Sequence, residues 1–144
     1  MIFKELNYSH ISEIKEWAKH ESISDWIGID DWDAYYQYAI NEQGTLLFAI
    51  YDNDIFIGEI TAEKEDDYLN IMLIINPQYQ NQGFGVKALK YFAENIESLI
   101  GCRPKYIHSG IFKENIASIK CFSKAGYIHQ GNNVDGDERY IFYL

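Results

Sequence analysis

The chain has 144 residues, enough for one domain with its own core, and its 47% apolar and 24% charged content is ordinary for a soluble globular protein. A formal net charge of −10 argues against general nucleic-acid binding, the apolar run Ile71–Ile75 is far too short to span a bilayer, and no signal peptide is expected. Cys102 and Cys121 are isolated and the four histidines are scattered, so neither a metal site nor a disulfide is expected and a reduced, cytoplasmic setting fits.

In chain order, "MIFKEL" (Met1–Leu6) reads as a strand. Ser9 is an N-cap candidate for a helix whose apolar positions are Ile11, Ile14, Trp17 and Ala18. A loop over His20–Asp31 leads to a second helix marked by Trp32, Tyr35, Tyr36 and Ala39, ending before Gly44. Thr45–Tyr51 and Ile55–Glu63 read as strands about a hairpin turn at Asp52–Asp54, and a turn at Glu65–Asp67 leads into the strand Tyr68–Ile75. The loop "NPQYQNQGFG" (Asn76–Gly85) then opens a helix with Val86, Leu89, Ala93, Ile96 and Ile100 on one face and Gly101 as its stop. The strand Lys105–Phe112 follows, then a helix from Asn115 with Ile119, Phe122 and Ala125 inward and Gly126 at its end. Tyr127–Asn132 and Arg139–Leu144 close the chain as a strand pair about Asn133–Glu138. The order β-α-α-β-β-β-α-β-α-β-β predicts a mixed α/β (α+β) domain over 1–144. Residues 68–112 form a βαβ unit with a parallel crossover.

Charge is unevenly spread. Residues 1–75 hold 4 Lys/Arg against 16 Asp/Glu, residues 76–126 hold 7 against 3, and residues 127–144 hold 1 against 3. Besides solubilising the surface, such asymmetry suits a site with two ends, one for a polyanion and one for a cation. The glycine loop fits the anionic end. Glycines let backbone approach a pyrophosphate closely, and a helix starting near Gly83 aims free N–H groups and partial positive charge at it. Gly83, Gly85 and Ala88 also satisfy a dinucleotide fingerprint, but the next strand, Lys105–Phe112, ends in no carboxylate and the hairpin-rich first half lacks the repeated β-α units a doubly wound fold needs.

Two motifs inside this element order resemble the GNAT superfamily of acyl-CoA-dependent N-acetyltransferases. One is Gln/Arg-x-x-Gly-x-Gly/Ala, here Gln80, Gly83 and Gly85 after Asn76-Pro77; the other is "NIASIKCFSKAGY", with Asn115, Ser118, Phe122, Gly126 and Tyr127. The resemblance covers the whole chain. It implies a central mixed, mostly antiparallel sheet of about seven strands flanked by about four helices, with acetyl-CoA as co-substrate. Its pyrophosphate would lie on the amides of Gln82, Gly83, Phe84, Gly85 and Val86, with Lys87, Lys113, Lys120 and Lys124 adding positive charge or simply solvated. Asn115 would contact the pantetheine arm while capping its helix, and Ser118 is either a contact or a packing residue. The oxyanion would be held by an amide between Leu73 and Ile75, where two parallel strands splay apart.

The chemistry implied is attack of an amine on a thioester. With an alkylamine pKa of about 10, only about one molecule in a thousand is free base at neutral pH, so a proton acceptor is needed. The strand Tyr68–Ile75 carries no carboxylate, and Glu59, amid apolar neighbours in "IGEIT", is the candidate base if it is half-buried rather than facing solvent. Phe122 stands where many members have a proton-donating Tyr; Cys121 beside it reads as packing. The resemblance places the acceptor against the first two helices, where Asp30 and Asp31 beside Trp26, Trp32 and Tyr36 could hold a cation, although an aspartate there also serves as a helix cap. The expectation is direct transfer in a ternary complex to a primary amine of a cationic small molecule, polyamine or aminoglycoside-like, with a homodimer possible. The alternatives are a protein or peptide acetyltransferase, and a CoA-binding sensor with little turnover.

Overall fold

The computed structural model describes all residues, Met1–Leu144. Seven strands form one sheet: β1 (Ile2–Glu5), β2 (Thr45–Asp52), β3 (Ile55–Lys64), β4 (Tyr68–Ile75), β5 (Tyr106–Ile111), β6 (Ile128–Asn132) and β7 (Glu138–Tyr143), in the spatial order β1-β2-β3-β4-β5-β7-β6. Every neighbouring pair is antiparallel except β4 and β5. The expected mixed, mostly antiparallel sheet is present.

Six helices accompany it: α1 (Tyr8–Trp17), α2 (Glu21–Ser24), α3 (Trp32–Asn41), α4 (Phe84–Glu94), α5 (Ile96–Ile100) and α6 (Ile116–Lys124). The count exceeds the expected four for two local reasons. The loop after α1 holds a single turn, α2, capped by the His20 ring. The predicted helix over 86–100 breaks at Asn95, whose side chain joins its own N–H on the carbonyl of Tyr91. The apolar spacing survives the break, so Leu89, Ile96 and Ile100 are all buried. The cap of α1 is Asn7 rather than Ser9, because Asn7 accepts from the Ser9 N–H while His10 Nδ1 accepts from the Asn7 N–H.

Strand alternation sends the two faces of the sheet to two cores. On one face Leu47 and Ala49 of β2 and Ile74 of β4 pack with Ile11, Ile14, Trp17 and Trp32 under α1 and α3. On the other, Phe48, Ile60, Leu69 and Ile107 pack with Ala88, Leu89 and Phe92 of α4 and Phe122 of α6. The β2–β3 hairpin turns at Asn53 and Asp54, both at positive φ as a tight two-residue turn demands.

What positions the site is the β4–β5 junction. These strands are in register only over Tyr68–Asn70 against Tyr106–His108. Beyond that point they part, bridged by Ser109 Oγ donating to the Ile71 carbonyl at 3.0 Å. Because the two strands are parallel, the helices that follow them, α4 and α6, both begin at the mouth of the opening.

Candidate active site

The opening between β4 and β5 holds two adjoining cavities. The first, of about 500 Å³, is walled by Leu73–Ile75, the loop residues Tyr79–Asn81, Gly83, Gly85 and Val86, and Asn115, Ser118, Cys121 and Phe122 of α6. The second, of about 580 Å³, lies along β4 and β5 and shares Trp26, Ile27, Leu73, Asn115, Ser118 and Phe122 with the first, so the two form one cleft.

The glycine loop builds the first cavity by backbone geometry. Gly83 takes φ +84° and is the N-cap of α4 with no side-chain cap, and the main-chain N–H groups from Gln82 to Val86 donate to no protein acceptor. A Cβ at Gly85 would stand 2.7 Å from Cys121 Sγ, so the missing side chain is what lets α4 close against α6. Gln80 pins the loop, its Nε2 donating to the Ile75 carbonyl at 2.9 Å. Gln82 and Phe84 are not among the wall residues: Gln82 turns its amide to the Gln78 carbonyl, and Phe84 sits edge-on to Tyr79. Asn115 caps α6 by accepting from Ser118 N–H at 3.3 Å, which leaves its own NH₂ group free beside the cleft.

Alternation also sets the amides of β4. Asn76 N–H donates to the Ile57 carbonyl at 2.8 Å, so Ile74 and Met72 turn their main-chain groups toward β3. Leu73 and Ile75 therefore point theirs into the gap, where no residue of β5 is in register with them. These are the amides expected to meet an oxyanion.

Charge divides the cleft. Lys120 and Lys124 line the first cavity with no carboxylate among its walls. Glu63, Glu65, Asp135 and Asp137 line the second with no Lys or Arg among its walls, beside the aromatic rings of Trp26, Tyr68 and Phe112. Of the other expected cations, Lys87 is held by Asp52 at 2.8 Å and Lys113 lines neither cavity.

The residues expected to hold an acceptor separate. Trp26 lines both cavities, with its ring 6.4 Å from that of Phe112. Trp32 is buried in the core beneath α3, Asp31 caps α3 through the Ala34 N–H, Tyr36 packs edge-on against Tyr8, and none of these nor Asp30 lines either cavity. Helix capping, core packing and an aromatic contact claim Asp31, Trp32 and Tyr36, and Asp30 is exposed. The acidic wall comes instead from Glu63 at the end of β3, Glu65 in the β3–β4 turn and Asp135 and Asp137 in the β6–β7 turn, residues that read in the sequence as the end of a strand and the turns beside it.

Glu59 is only 1% exposed, shut between β2 and β4 on the α1–α3 face and absent from both cavity walls. Thr61 Oγ1 donates to its Oε1 and meets the Tyr35 hydroxyl at 2.9 Å, while Oε2 has no partner. Burial pushes its carboxyl up to about 7. The perturbation expected of a base is there, but the structure does not bring the group to the cleft wall. Phe122, 4% exposed, lies edge-on to Tyr127, whose hydroxyl is buried, unpartnered and driven far above the ordinary tyrosine range by burial. Cys121, its thiol raised to about 11 chiefly by burial, is a packing residue at the cavity wall.

Sequence reasoning passed over His108. It lies at the last registered pair of β4 and β5, opposite Asn70, and lines the second cavity. A lone histidine in an apolar strand gives little signal until its cross-strand neighbour is known.

Comparison with known proteins agrees with this architecture. The model for the "Acetyltransferase (GNAT) family" matches residues 11–127. The spermine/spermidine N(1)-acetyltransferase of Bacillus subtilis (strain 168) is 29% identical over 85 residues, 59% of this chain and 49% of that protein. The match thus spans about half the length of that curated relative. Among solved structures, a spermidine N-acetyltransferase chimera from Vibrio cholerae and hSSAT superposes with TM-score 0.82 at 15% identity, covering 99% of this chain and 94% of that one. Aminoglycoside acetyltransferase AAC(6')-Ib in complex with coenzyme A gives 0.81 at 17% identity, covering 98% and 93%. A domain from Methanocaldococcus jannaschii DSM 2661 gives 0.81 at 16% identity, covering 99% and 97%. At such identities these structures speak for the fold.

Proposed function

The chain belongs to the GNAT acetyltransferase family, and from that premise we propose that it is a cytoplasmic, single-domain N-acetyltransferase that moves the acetyl group of acetyl-CoA to a primary amine bearing further positive charge, such as a polyamine or aminoglycoside. The observation that carries this is the division of charge along one cleft: lysines at the end where the glycine loop offers free amides, carboxylates and aromatic faces at the other. A polyphosphate suits the first end and a polycation the second.

The residues present fit acetyl-CoA as co-substrate. The amides from Gln82 to Val86 and the uncapped start of α4 would hold its pyrophosphate, with Lys120 and Lys124 beside it. The free amide group of Asn115 and the Ser118 hydroxyl face the path of the pantetheine arm. The acetyl carbonyl would then lie at the gap, within reach of the Leu73 or Ile75 N–H, which would hold the tetrahedral oxyanion. An amine entering from the acidic cavity attacks the carbonyl carbon directly, and the C–S bond breaks. Phe122 donates no proton, so the thiolate, whose conjugate acid has a pKa of about 8.5, leaves unassisted or is protonated by water.

The test is titration with coenzyme A in a calorimeter, followed by thiol release from acetyl-CoA across an amine panel of spermidine, 1,4-diaminobutane, kanamycin and a lysine peptide. The expected result is coenzyme A binding together with amine-dependent thiol release that favours polycations. Binding without release from any amine would favour a sensor, and preference for the peptide would favour a protein-modifying enzyme.

A further inference from the structure

The cleft needs a group that takes a proton from the attacking amine, and no carboxylate on β4 can do so because that strand has none. Glu59 is walled off from the cleft. Glu63, Glu65 and Asp135 are exposed at the rim, and Asp137 is engaged by Asn133 Nδ2 at 2.6 Å. Resting on the acetyltransferase reading above, we infer that His108 Nε2 accepts the proton of the attacking amine.

Three observations support the assignment. The first is place: His108 stands where β4 and β5 begin to part, on the wall of the acidic cavity, which Leu73, three residues beyond its partner Asn70, also lines. The second is tautomer. Nδ1 lies 2.8 Å from Asn70 Oδ1, an oxygen that can only accept, so Nδ1 carries the ring proton and Nε2 presents a lone pair. The third is vacancy of that lone pair: Nε2 is buried and receives no hydrogen bond from the protein. A buried acceptor left without a partner is costly, and at a cavity wall a small side-chain movement would offer it a ligand proton.

The surroundings favour the neutral ring. Burial lowers its pKa first and the charge of Arg139 on β7 lowers it further, against a side-chain hydrogen bond with Asn133 and the charge of Asp137, both from the β6–β7 turn, which favour the protonated ring. Tyr68 of β4 sets its ring edge-on to the imidazole. At neutral pH the base is therefore ready before the amine arrives. As the C–N bond forms, the nitrogen's proton passes to Nε2. The C–S bond then breaks, the imidazolium yields the proton to water, and the thiolate is reprotonated from water. An acceptor that entered as ammonium releases one further proton to solvent, so the balance closes.

The experiment measures kcat/KM against pH with the best amine of the panel. In the wild type, log kcat/KM should rise with a slope of about two below the His108 pKa, where base and amine both need deprotonation, and about one above it. His108→Gln should show slope one throughout and lose roughly 100-fold in kcat at pH 7, with coenzyme A affinity unchanged and the deficit in kcat/KM constant above the His108 pKa and narrowing as pH falls below it. Asn70→Asp keeps the imidazole but puts a carboxylate on Nδ1, and should move the break in slope to higher pH. This second variant keeps the question open to test even if His108→Gln folds poorly. A His108→Gln enzyme within threefold of wild type, or a break that Asn70→Asp leaves in place, overturns the assignment while the acetyltransferase function stands. A wild type that transfers to no amine overturns both.

Discussion

Glu59 shows what a single buried carboxyl does to a fold. Its ordinary pKa of 4.5 rises to about 7 in the folded chain because burial opposes its charge. Below pH 4.5 both folded and unfolded chains hold the proton, and the group exerts no pH-dependent effect. Between about 4.5 and 7 the unfolded chain loses the proton first, so stability falls as pH rises, and above 7 the loss is complete. A shift of this size corresponds to about 3 kcal/mol. Glu59→Gln keeps an acceptor for the Thr61 hydroxyl and cannot ionise, so it should match wild type at pH 4.5 and exceed it by up to about 3 kcal/mol at pH 8 in urea melts. With Glu59 outside the cleft, its turnover should stay near wild type. The apolar setting of Glu59 was legible in "IGEIT", and its distance from the cleft was not, because only the assembled neighbours β2 and β4 decide which side of the sheet opens.

At the scale of elements, the strand–loop–helix unit from β4 to α4 was the most legible part of the molecule. Its signals are local: an apolar run, two glycines two apart, and a helical period at once. Gly85 shows why the letter is fixed. Its absent side chain faces Cys121 Sγ, 2.7 Å from where a Cβ would stand, with Leu73 and Ile75 next at 3.7 and 3.8 Å. Gly85→Ala should cost about 1–3 kcal/mol in thermal melts by forcing α4 away from α6. Cys121→Ala removes the obstructing sulfur and should recover most of that loss in the double variant, an interaction that separate contributions would not produce. The acidic wall of the cleft was illegible for the opposite reason. Glu63 and Glu65 at and just beyond the end of β3 and Asp135 and Asp137 in the β6–β7 turn lie about seventy residues apart, whereas Asp31, Trp32 and Tyr36 stand together in the sequence and are claimed by a helix cap, a core and a packing contact.

Across the whole molecule, the uneven charge noted in the sequence becomes a spatial arrangement. The acidic first half and the acidic β6–β7 turn meet at one end of the cleft, and the basic segment lines the other. Glu63→Gln and Asp137→Asn should each raise KM for spermidine roughly 3–10-fold while changing that of a monoamine such as butylamine less than twofold, as expected for partly screened charges far from the reacting nitrogen. The parting of β4 and β5 has a consequence for how the chain folds. Strands β1 to β4 pair in chain order, and β5, β7 and β6 pair among themselves, with β7 between the other two, so each half of the sheet draws on its own segment of the chain. The halves are stitched across the sheet by three registered pairs and the Ser109 bridge. Sub-global opening of the sheet should therefore begin at this seam, and whatever lodges in it acts as a rivet between the two halves, which otherwise meet through the shared core beneath α4 and α6.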